Sequence, residues 1–375
     1  MRIIFVGGGT SGHINPALNM ASYLKKIEPD SQILYIGSKN GLEKELSKKA
    51  KVDFKSINVS GFLRKFSLRA TYKNLISCLK ILISDMESKK ILKDFNPDIC
   101  MGTGGYVCGP FLRRAYKMNI PFVIHEQNSI PGLTTKLLAK KASKIMLAMP
   151  DIKECLPKEK VELVGNPLKS TFLEKNQAIK MINEKYGKNL INKKIVLSFG
   201  GSLGSGAINS VILKIIKEGI FFHIHAYGRN GKKIFKNLDK IENLSKFLIR
   251  EYIYDMDICM AAADVIICRS GSMTISEIIS LRKPAILIPS PNVANNHQYF
   301  NALFLSESDA ATMIEEKNLT MENLKSKINE ILNDKNIRKR YAENLKKIST
   351  TNTNEKIHEI LKFYSKKTRI VLDRG

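Results

Sequence analysis

The stretch that most constrains the fold is 2–13, where a short apolar run stops abruptly at glycines. A helical pattern of apolar residues begins near Pro16, so the order is strand, glycine-rich turn and helix. This order turns backbone N–H groups and the positive end of a helix dipole toward a phosphate. Gly7, Gly9 and Gly12 also match the G-x-G-x-x-G spacing, which a tight turn without a ligand shares. The loop therefore predicts a phosphate or pyrophosphate site in an α/β protein.

A dinucleotide-binding fold would place an acidic residue directly after the second strand, where it binds a ribose hydroxyl. We predict that strand at 32–36, and residues 37–40 after it contain no carboxylate. Glu28 and Asp30 precede the strand and therefore lie at its opposite end. The sequence thus argues against NAD or FAD.

The order of strand, glycine-rich loop and helix recurs at 195–206. Further strands are predicted at 97–101, 121–124, 161–164, 221–227, 247–253, 264–268 and 283–289, separated mostly by helical patterns. We therefore expect an α/β chain of two Rossmann-like doubly wound parallel-sheet domains facing across a cleft. The expected domains are 1–165 and 166–339, with a linker at Gly165-Asn166-Pro167.

The net charge of +26 limits the classes of partner. Nucleic acid, an anionic membrane surface or a phosphate-rich substrate would each suit it, and a coding bias toward lysine would also produce it. A nucleic-acid-binding protein would cluster basic residues with aromatic ones on one face, whereas here they are scattered. We also expect an uncleaved, non-secreted protein without a membrane span. The basic, apolar helix pattern over 62–83 predicts either a core-facing helix or a membrane-docking face.

Three patterns could have indicated a metal. The six cysteines form no C-x-x-C pair, which favours reduced thiols over a zinc site. His223 and His225 share one face of a predicted strand, without a third ligand near them in the sequence. Asp255 and Asp257 resemble the D-x-D metal pair of some glycosyltransferases, but an aspartate also caps a helix at such a position. We favour the cap and predict neither a metal nor a cofactor.

Seven motifs, taken together and in this order, resemble those of one family. They are Gly8-Gly9-Thr10-Ser11-Gly12-His13-Ile14-Asn15-Pro16-Ala17-Leu18, Gly104-Gly105-Tyr106-Val107, His125-Glu126-Gln127-Asn128, Gly165-Asn166-Pro167, Gly200-Gly201-Ser202, Arg269-Ser270-Gly271-Ser272-Met273-Thr274-Ile275-Ser276-Glu277 and His297-Gln298-Tyr299-Phe300-Asn301-Ala302. The family is the bacterial UDP-N-acetylglucosamine–undecaprenyl-pyrophosphoryl-muramoyl-pentapeptide N-acetylglucosaminyltransferase, which makes lipid II from lipid I in peptidoglycan synthesis. The resemblance implies a GT-B fold, a metal-independent, inverting transfer and peripheral attachment to the cytoplasmic face of the cell membrane. It also implies that domain 1–165 binds the acceptor and the membrane, that domain 166–339 binds the UDP-sugar, and that a helix at about 340–365 packs back on the first domain.

The resemblance also implies which residues bind UDP-N-acetylglucosamine. They are Thr10, Ser11, Gly12, Asn128, Lys169, Ser202, Ile253, Ser272, Met273, Thr274, Ile275, Ser276, Glu277 and Gln298. Three positions depart from the family pattern. Ser11 replaces a glycine, Leu203 replaces a glutamine, and Lys169 replaces an arginine, which keeps the charge but loses the bidentate fork.

For the transfer itself, His13 is the first candidate base because histidine titrates near neutral pH, and Glu126 is the second. His13 could instead only hydrogen-bond the acceptor phosphate. We expect Gly104, Gly105 and Tyr106 to bind the acceptor, lipid I. The rival enzyme class is another GT-B transferase that moves sugar from a nucleotide donor to a lipid or small-molecule acceptor.

Overall fold

Short strands of almost continuous apolar residues build a parallel sheet in each of two units of the chain. Unit 1 consists of Met1–Leu168 and Thr350–Gly375, and unit 2 of Lys169–Ser349. The computed structural model describes residues 1–39, 41–59, 83–168, 173–219, 221–236 and 246–372. Among these residues, no helix has both the length and the apolar character needed to cross a membrane.

Unit 1 has a seven-stranded, all-parallel sheet in the order β3-β2-β1-β4-β5-β6-β7. The strands are β1 (Arg2–Val6), β2 (Gln32–Ser38), β3 (Asp53–Ile57), β4 (Ile99–Gly102), β5 (Phe122–Glu126), β6 (Lys144–Leu147) and β7 (Val161–Leu163). The described helices are α1 (Ser11–Ile27), α2 (Glu43–Lys49), α3 (83–95), α4 (Cys108–Lys117), α5 (Leu133–Leu138) and, from the other end of the unit, α13 (Thr353–Leu372).

Alternate residues of β1 enter the two cores on opposite faces of this sheet. Ile4 packs in the core that includes Phe111 of α4, whereas Phe5 packs in the core that includes Ile14 of α1 and Leu361 of α13. Because both faces of β1 are covered by helices, the strand is apolar at nearly every position. The sheet is therefore doubly wound, as predicted.

Unit 2 repeats this construction with six parallel strands in the order β10-β9-β8-β11-β12-β13. The strands are β8 (Ile195–Phe199), β9 (Phe222–Ala226), β10 (Phe247–Arg250), β11 (Val265–Cys268), β12 (Ala285–Leu287) and β13 (Thr312–Met313). The helices are α6 (Lys175–Tyr186), α7 (Gly206–Glu218), α8 (Met256–Ala262), α9 (Ser272–Leu281), α10 (His297–Glu307), α11 (Met321–Asn333) and α12 (Lys335–Ile348).

The helix expected at about 340–365 is in fact two helices. Between α12 and α13 the backbone turns extended at Ser349 and left-handed at Asn352, where φ is 56°. α12 belongs to unit 2, and α13 packs in the core of unit 1 through Ile357 and Leu361.

Candidate functional site

The order of strands in unit 1 reverses between β1 and β4, and open α/β sheets bind ligands at such a reversal, beyond the carboxyl ends of the strands. The loops that follow these two strands touch backbone to backbone. The Gly8 N–H donates to the Gly104 carbonyl at 3.3 Å. A Cβ at Gly105 would lie 2.1 Å from the Gly8 oxygen, and Gly105 also has a φ of +83°, so only glycine fits there.

The glycine N–H groups of the first loop are used inside the protein. Gly7 donates to the Ile36 carbonyl at 3.3 Å, Gly8 donates to Gly104, and Gly9 donates to Glu43 Oε1 at 3.0 Å. This differs from the prediction that the glycine loop itself offers N–H groups to a phosphate. The first turn of α1, which opens at Ser11, is instead where helix N–H groups lack intrahelical acceptors. The serine fits at this position because its backbone is helical.

Glu43 is a site residue that the sequence did not reveal. Its side chain is fully buried behind the first glycine loop and also accepts from Ser38 Oγ at 3.2 Å. A Cβ at Gly8 would lie 2.3 Å from Glu43 Oε1, so that glycine leaves room for the carboxylate. Tyr106 Oη donates to Ser38 Oγ at 3.3 Å and joins the second loop to the same group. The expected acceptor residue Tyr106 therefore lies beside the first loop.

His13 lies in the first turn of α1, half-buried at the carboxyl edge of the sheet. Thr103 Oγ1 donates to the His13 carbonyl at 2.6 Å and holds its backbone next to the end of β4. The ring rests on Gly104, where a Cβ would lie 2.7 Å from His13 Nδ1. His13 Nδ1 is also 3.0 Å from Gln127 Oε1. The histidine is therefore held from both the β4 and the β5 side.

Glu126, the second candidate base, is buried at the end of β5. Its Oε1 accepts from the backbone N–H and the side-chain amide of Asn128, each at 3.2 Å. Its Oε2 accepts from the Gly132 N–H at 3.0 Å and from Thr135 Oγ1 at 2.6 Å. A carboxylate offers about four acceptor positions, so these four donors already occupy it. Glu126 would have to release one of these donors before it could take a proton from a substrate.

In unit 2 the strand order reverses between β8 and β11, and a glycine-containing loop follows each of these strands. Ser202 is exposed in the loop after β8. This loop lies against the end of β9, because a Cβ at Gly204 would be 2.0 Å from the Tyr227 oxygen. Ser205 ends the loop as the N-cap of α7 and accepts from the Ile208 N–H at 3.3 Å. Leu203, at the position where the family has glutamine, is exposed.

Arg269 joins several parts of this site but does not face an open surface. Its guanidinium donates to Ser205 Oγ at 2.7 Å and to the carbonyls of Ile288 and Pro289, each at 3.1 Å. It also forms an ion pair with Glu316. With these partners the guanidinium fixes the β8 and β11 loops relative to the end of β12.

The predicted donor residues 272–277 form the first two turns of α9, with the buried Ser272 as its first residue. Glu277 lies in the second turn of this helix. Ser270 Oγ donates to the Gln298 carbonyl at 2.7 Å, which brings the start of α10 beside the start of α9. Gln298 Oε1 accepts from the Ser290 N–H at 2.9 Å. These residues therefore share the carboxyl edge of the second sheet.

Ile253 is buried just after β10, between the exposed rings of Tyr252 and Tyr254. Asp255 is the N-cap residue of α8, but its side chain does not cap the helix. It accepts from Tyr186 Oη at 2.7 Å and pairs with Lys185 at 3.3 Å. The expectation of a side-chain cap is therefore wrong, because the carboxylate is held by α6.

Metal ligands do not gather in the described part of the chain, which holds no group of three or more His, Cys, Asp and Glu side chains suited to a metal. His223 Nε2 and His225 Nδ1 each lie 2.7 Å from Ser198 Oγ, and His225 Nε2 lies 3.1 Å from Asn209 Oδ1. These buried histidines thus take part in a hydrogen-bond network beneath the β8 loop. Lys169 and the predicted membrane face at 62–83, apart from residue 83, lie outside the described residues.

Comparison with known proteins covers both units. Residues 3–147 match the glycosyltransferase family 28 N-terminal domain, and residues 195–360 match the family's C-terminal domain. The chain is 40% identical over 368 residues to the UDP-N-acetylglucosamine–N-acetylmuramyl-(pentapeptide) pyrophosphoryl-undecaprenol N-acetylglucosamine transferase of Acetivibrio thermocellus, covering 96% of this chain and 98% of that protein. It is 37% identical to transferase 1 of the same description from Bacillus cereus, covering 98% of this chain and all of that protein.

Among solved structures, that of MurG from Acinetobacter baumannii is similar with a TM-score of 0.75 and 23% identity, over 96% of this chain and 99% of that one. This likeness bears on the fold and confirms the prediction of two parallel-sheet α/β domains of GT-B type. The matches to both family domains and to full-length relatives bear on the family. The chain therefore belongs to glycosyltransferase family 28 and, within it, to the UDP-N-acetylglucosamine–N-acetylmuramyl-(pentapeptide) pyrophosphoryl-undecaprenol N-acetylglucosamine transferases.

Proposed function

We propose that this protein transfers N-acetylglucosamine from UDP-N-acetylglucosamine to lipid I, a polyprenyl-pyrophosphate-linked muramoyl-pentapeptide, and so makes lipid II. The observation that carries this proposal is the 40% identity to a transferase of that description along nearly the whole chain. In the proposed reaction, the C4 hydroxyl oxygen of the muramoyl sugar bonds to the anomeric carbon of the donor sugar. The bond from that carbon to the UDP oxygen breaks, and the configuration inverts from α to β.

His13 is the group we assign to take the hydroxyl proton. Its Nδ1 faces Gln127, which leaves Nε2 to act on the substrate. We assign Glu126 a structural role at the same carboxyl edge of the sheet, because its carboxylate accepts hydrogen bonds along the segment from Asn128 to Thr135. An imidazole at the start of α1 also lies close to the N–H groups that we assign to the acceptor's pyrophosphate, together with Gly104, Gly105 and Tyr106.

In a mechanism without a metal, the N-termini of helices have to stabilise the departing diphosphate. The N-terminus of α9 carries a partial positive charge of roughly half an elementary charge, and its first N–H groups lack intrahelical acceptors. Ser272 and Thr274 add hydroxyl groups there, and Ser202 adds another from the β8 loop. We assign Glu277 to the ribose hydroxyls. Such donors stabilise charge that develops on the leaving group.

We also propose that unit 1 binds an anionic membrane through an α4–α5 surface, defined by the side chains of Tyr116, Leu133 and Leu137. These side chains are 49–69% exposed, although each is large and apolar. α4 and α5 pack together, and Lys141 Nζ lies 5.4 Å from the centre of the Tyr116 ring. Five exposed basic residues lie on α4, on α5 or within three residues after α5: Arg113, Lys117, Lys136, Lys140 and Lys141. Exposed apolar side chains with basic residues on the same helices suit the interface of an anionic bilayer, which supports peripheral attachment at the cytoplasmic face.

The deciding experiment is transfer of labelled N-acetylglucosamine from its UDP ester to lipid I in the presence of a chelator. We expect labelled lipid II and free UDP. Transfer only to other lipid or small-molecule acceptors would replace this proposal with the broader class of nucleotide-sugar transferases. Transfer that required an added divalent cation would overturn the metal-independent mechanism.

A further inference from the structure

A chain of hydrogen bonds runs from His13 into the interior of unit 1. His13 Nδ1 lies 3.0 Å from Gln127 Oε1, and Gln127 Nε2 lies 3.0 Å from His125 Nδ1. His125 Nε2 then lies 2.8 Å from the Gly165 carbonyl. His125 and Gln127 are almost completely buried, so the surrounding protein has to satisfy these polar atoms.

The Gly165 carbonyl determines the direction of every donor in this chain. A carbonyl only accepts, so His125 Nε2 carries a hydrogen. Burial lowers the pKa of His125, so the ring is neutral and its Nδ1 is an acceptor. Gln127 must therefore direct its NH₂ group at His125, and this group also donates to the His125 carbonyl at 2.8 Å. The amide oxygen is then the atom that faces His13, and it accepts from a hydrogen on His13 Nδ1.

We propose that Gln127 and His125 are positioning residues that hold the His13 ring as its Nδ1–H tautomer, so that the Nε2 lone pair is available to the acceptor hydroxyl. This inference deepens the proposed function and rests on it for the role of His13 as base. A base whose tautomer is fixed by a neighbour does not have to select it in each catalytic cycle. During the reaction, His13 Nε2 gains the proton of the hydroxyl, while Nδ1 keeps its hydrogen and its bond to Gln127.

Other titratable groups lie on the elements around His13. They are Glu126 at the end of β5, Tyr106 and Cys108 after β4, and Glu43 of α2. Glu126 and Glu43 accept from the donors described above. Cys108 Sγ lies 3.0 Å from the Gly104 carbonyl, and burial raises the pKa of its thiol to about 12. None of these contacts sets the donor at His13 Nδ1, which depends on the Gln127 amide.

The test compares two variants at Gln127 with a control on β5, the strand that precedes it. Gln127→Met removes both hydrogen-bonding groups at similar length, and Gln127→Glu keeps an acceptor facing His13. Val123→Ala, at the second residue of β5, removes buried apolar atoms without touching the chain of hydrogen bonds. Each protein is examined by nitrogen NMR of its six histidine rings, with His13→Asn identifying the His13 signals. The pH dependence of kcat and KM for transfer to lipid I is measured in parallel.

We expect the wild-type His13 to be mainly the Nδ1–H tautomer when neutral. Gln127→Met should move it toward the Nε2–H form. It should also lower kcat by about tenfold or more, up to the roughly 10²–10⁴-fold that general base catalysis contributes, with little change in KM. In Gln127→Glu the carboxylate should favour the charged imidazole and move the acid limb of the kcat profile upward by about one pH unit. Val123→Ala should change neither the tautomer nor the midpoint of that limb.

A Gln127→Met protein that kept the Nδ1–H tautomer would overturn the inference, as would a kcat within a factor of about two of the wild type. An acid limb that stayed in place in Gln127→Glu would also overturn it. Failure of the proposed function is distinguishable, because wild-type protein would then show no transfer to lipid I while the NMR spectra still reported the tautomer.

Discussion

Arg269 donates to Ser205 Oγ at 2.7 Å and thereby ties the end of β11 to the N-cap of α7. Since the same guanidinium pairs with Glu316, we expect Arg269→Lys to retain the charge but lose the planar fork. The variant should raise KM for UDP-N-acetylglucosamine and lower the free energy of unfolding by about 1–3 kcal/mol. Steady-state kinetics and urea unfolding measure the two effects.

The exposed ion pair of Lys317 with Glu315 provides the control for Arg269. Lys317→Ala should be close to neutral, because exposed pairs contribute about 0–1 kcal/mol. Equal effects of the two substitutions would contradict the role of Arg269 in fixing the two loops.

Glu43 should matter for acceptor binding although it is fully buried. Glu43→Ala leaves the Gly9 N–H without its acceptor, so we expect a loss of about 1–3 kcal/mol in stability and a higher KM for lipid I. Gly8→Ala should by itself lower the free energy of unfolding strongly, because its Cβ would lie 2.3 Å from Glu43 Oε1. The double variant with Glu43→Ala should lose less stability than the two single variants lose together. Strict additivity in a double-mutant cycle would argue against this contact.

Single substitutions of His13 and Glu126 should have different effects on activity and stability. His13→Ala should lower kcat by roughly 10²–10⁴ and remove the acid limb of its pH profile. Glu126→Ala should mainly lower the melting temperature, since it leaves the Gly132 N–H and Thr135 hydroxyl without their acceptor. Near-normal turnover and pH dependence in His13→Ala would show that this residue only binds the acceptor phosphate.

Stability should fall as the pH drops below about 6.5, because the unfolded chain then binds protons that the folded chain excludes. Burial lowers the pKa of His225 to about 3 and that of His223 well below its usual range. Each histidine whose folded pKa is depressed contributes up to about 1.4 kcal/mol per pH unit below the unfolded value. Urea unfolding at several pH values between 7.5 and 5.5 measures the slope. It should be shallower in His225→Gln, and an unchanged slope would contradict this assignment.

Binding to anionic liposomes should depend on the α4–α5 surface. Leu133→Ser with Leu137→Ser should weaken it, and Lys136→Glu should weaken it further in a salt-dependent way. Met181→Ser, at an exposed apolar position of α6 in unit 2, is the matched control. Charge reversal at Arg64, Lys65, Arg69 and Lys73 tests the membrane face predicted from the sequence. Liposome binding that the α4–α5 changes left intact would remove this surface from the proposal.

Much of the fold follows from the sequence because parallel strands buried on both faces are continuous apolar runs, as in β1 and β11. The pattern does not predict β3, an edge strand in which Asp53, Lys55 and Ser56 are polar, or β13, which has two residues. Hydrogen bonds between residues far apart in the sequence could not be predicted either. Nothing near Gly9 in the sequence indicates that its N–H donates to Glu43, because that carboxylate reaches the loop from another helix.

The same reasoning applies to the candidate site. Local motifs placed His13, Glu126 and Ser272 at the ends of strands, since loops after parallel strands meet at one edge. The roles of their partners depended on tertiary neighbours. The Gln127 amide faces the His13 ring, whereas the Asn128 amide donates to Glu126 Oε1. The Asp255 side chain does not cap α8, because it accepts from the Tyr186 hydroxyl.

The position of α13 has a consequence for synthesis on the ribosome. Ile357 and Leu361 cover the face of the first sheet that also holds Ile3 and Phe5, yet they are translated after all of unit 2. A nascent chain therefore carries an unfinished first unit while the second is being made. The N-terminal sheet must keep this apolar face out of contact with other chains until the polypeptide returns to it.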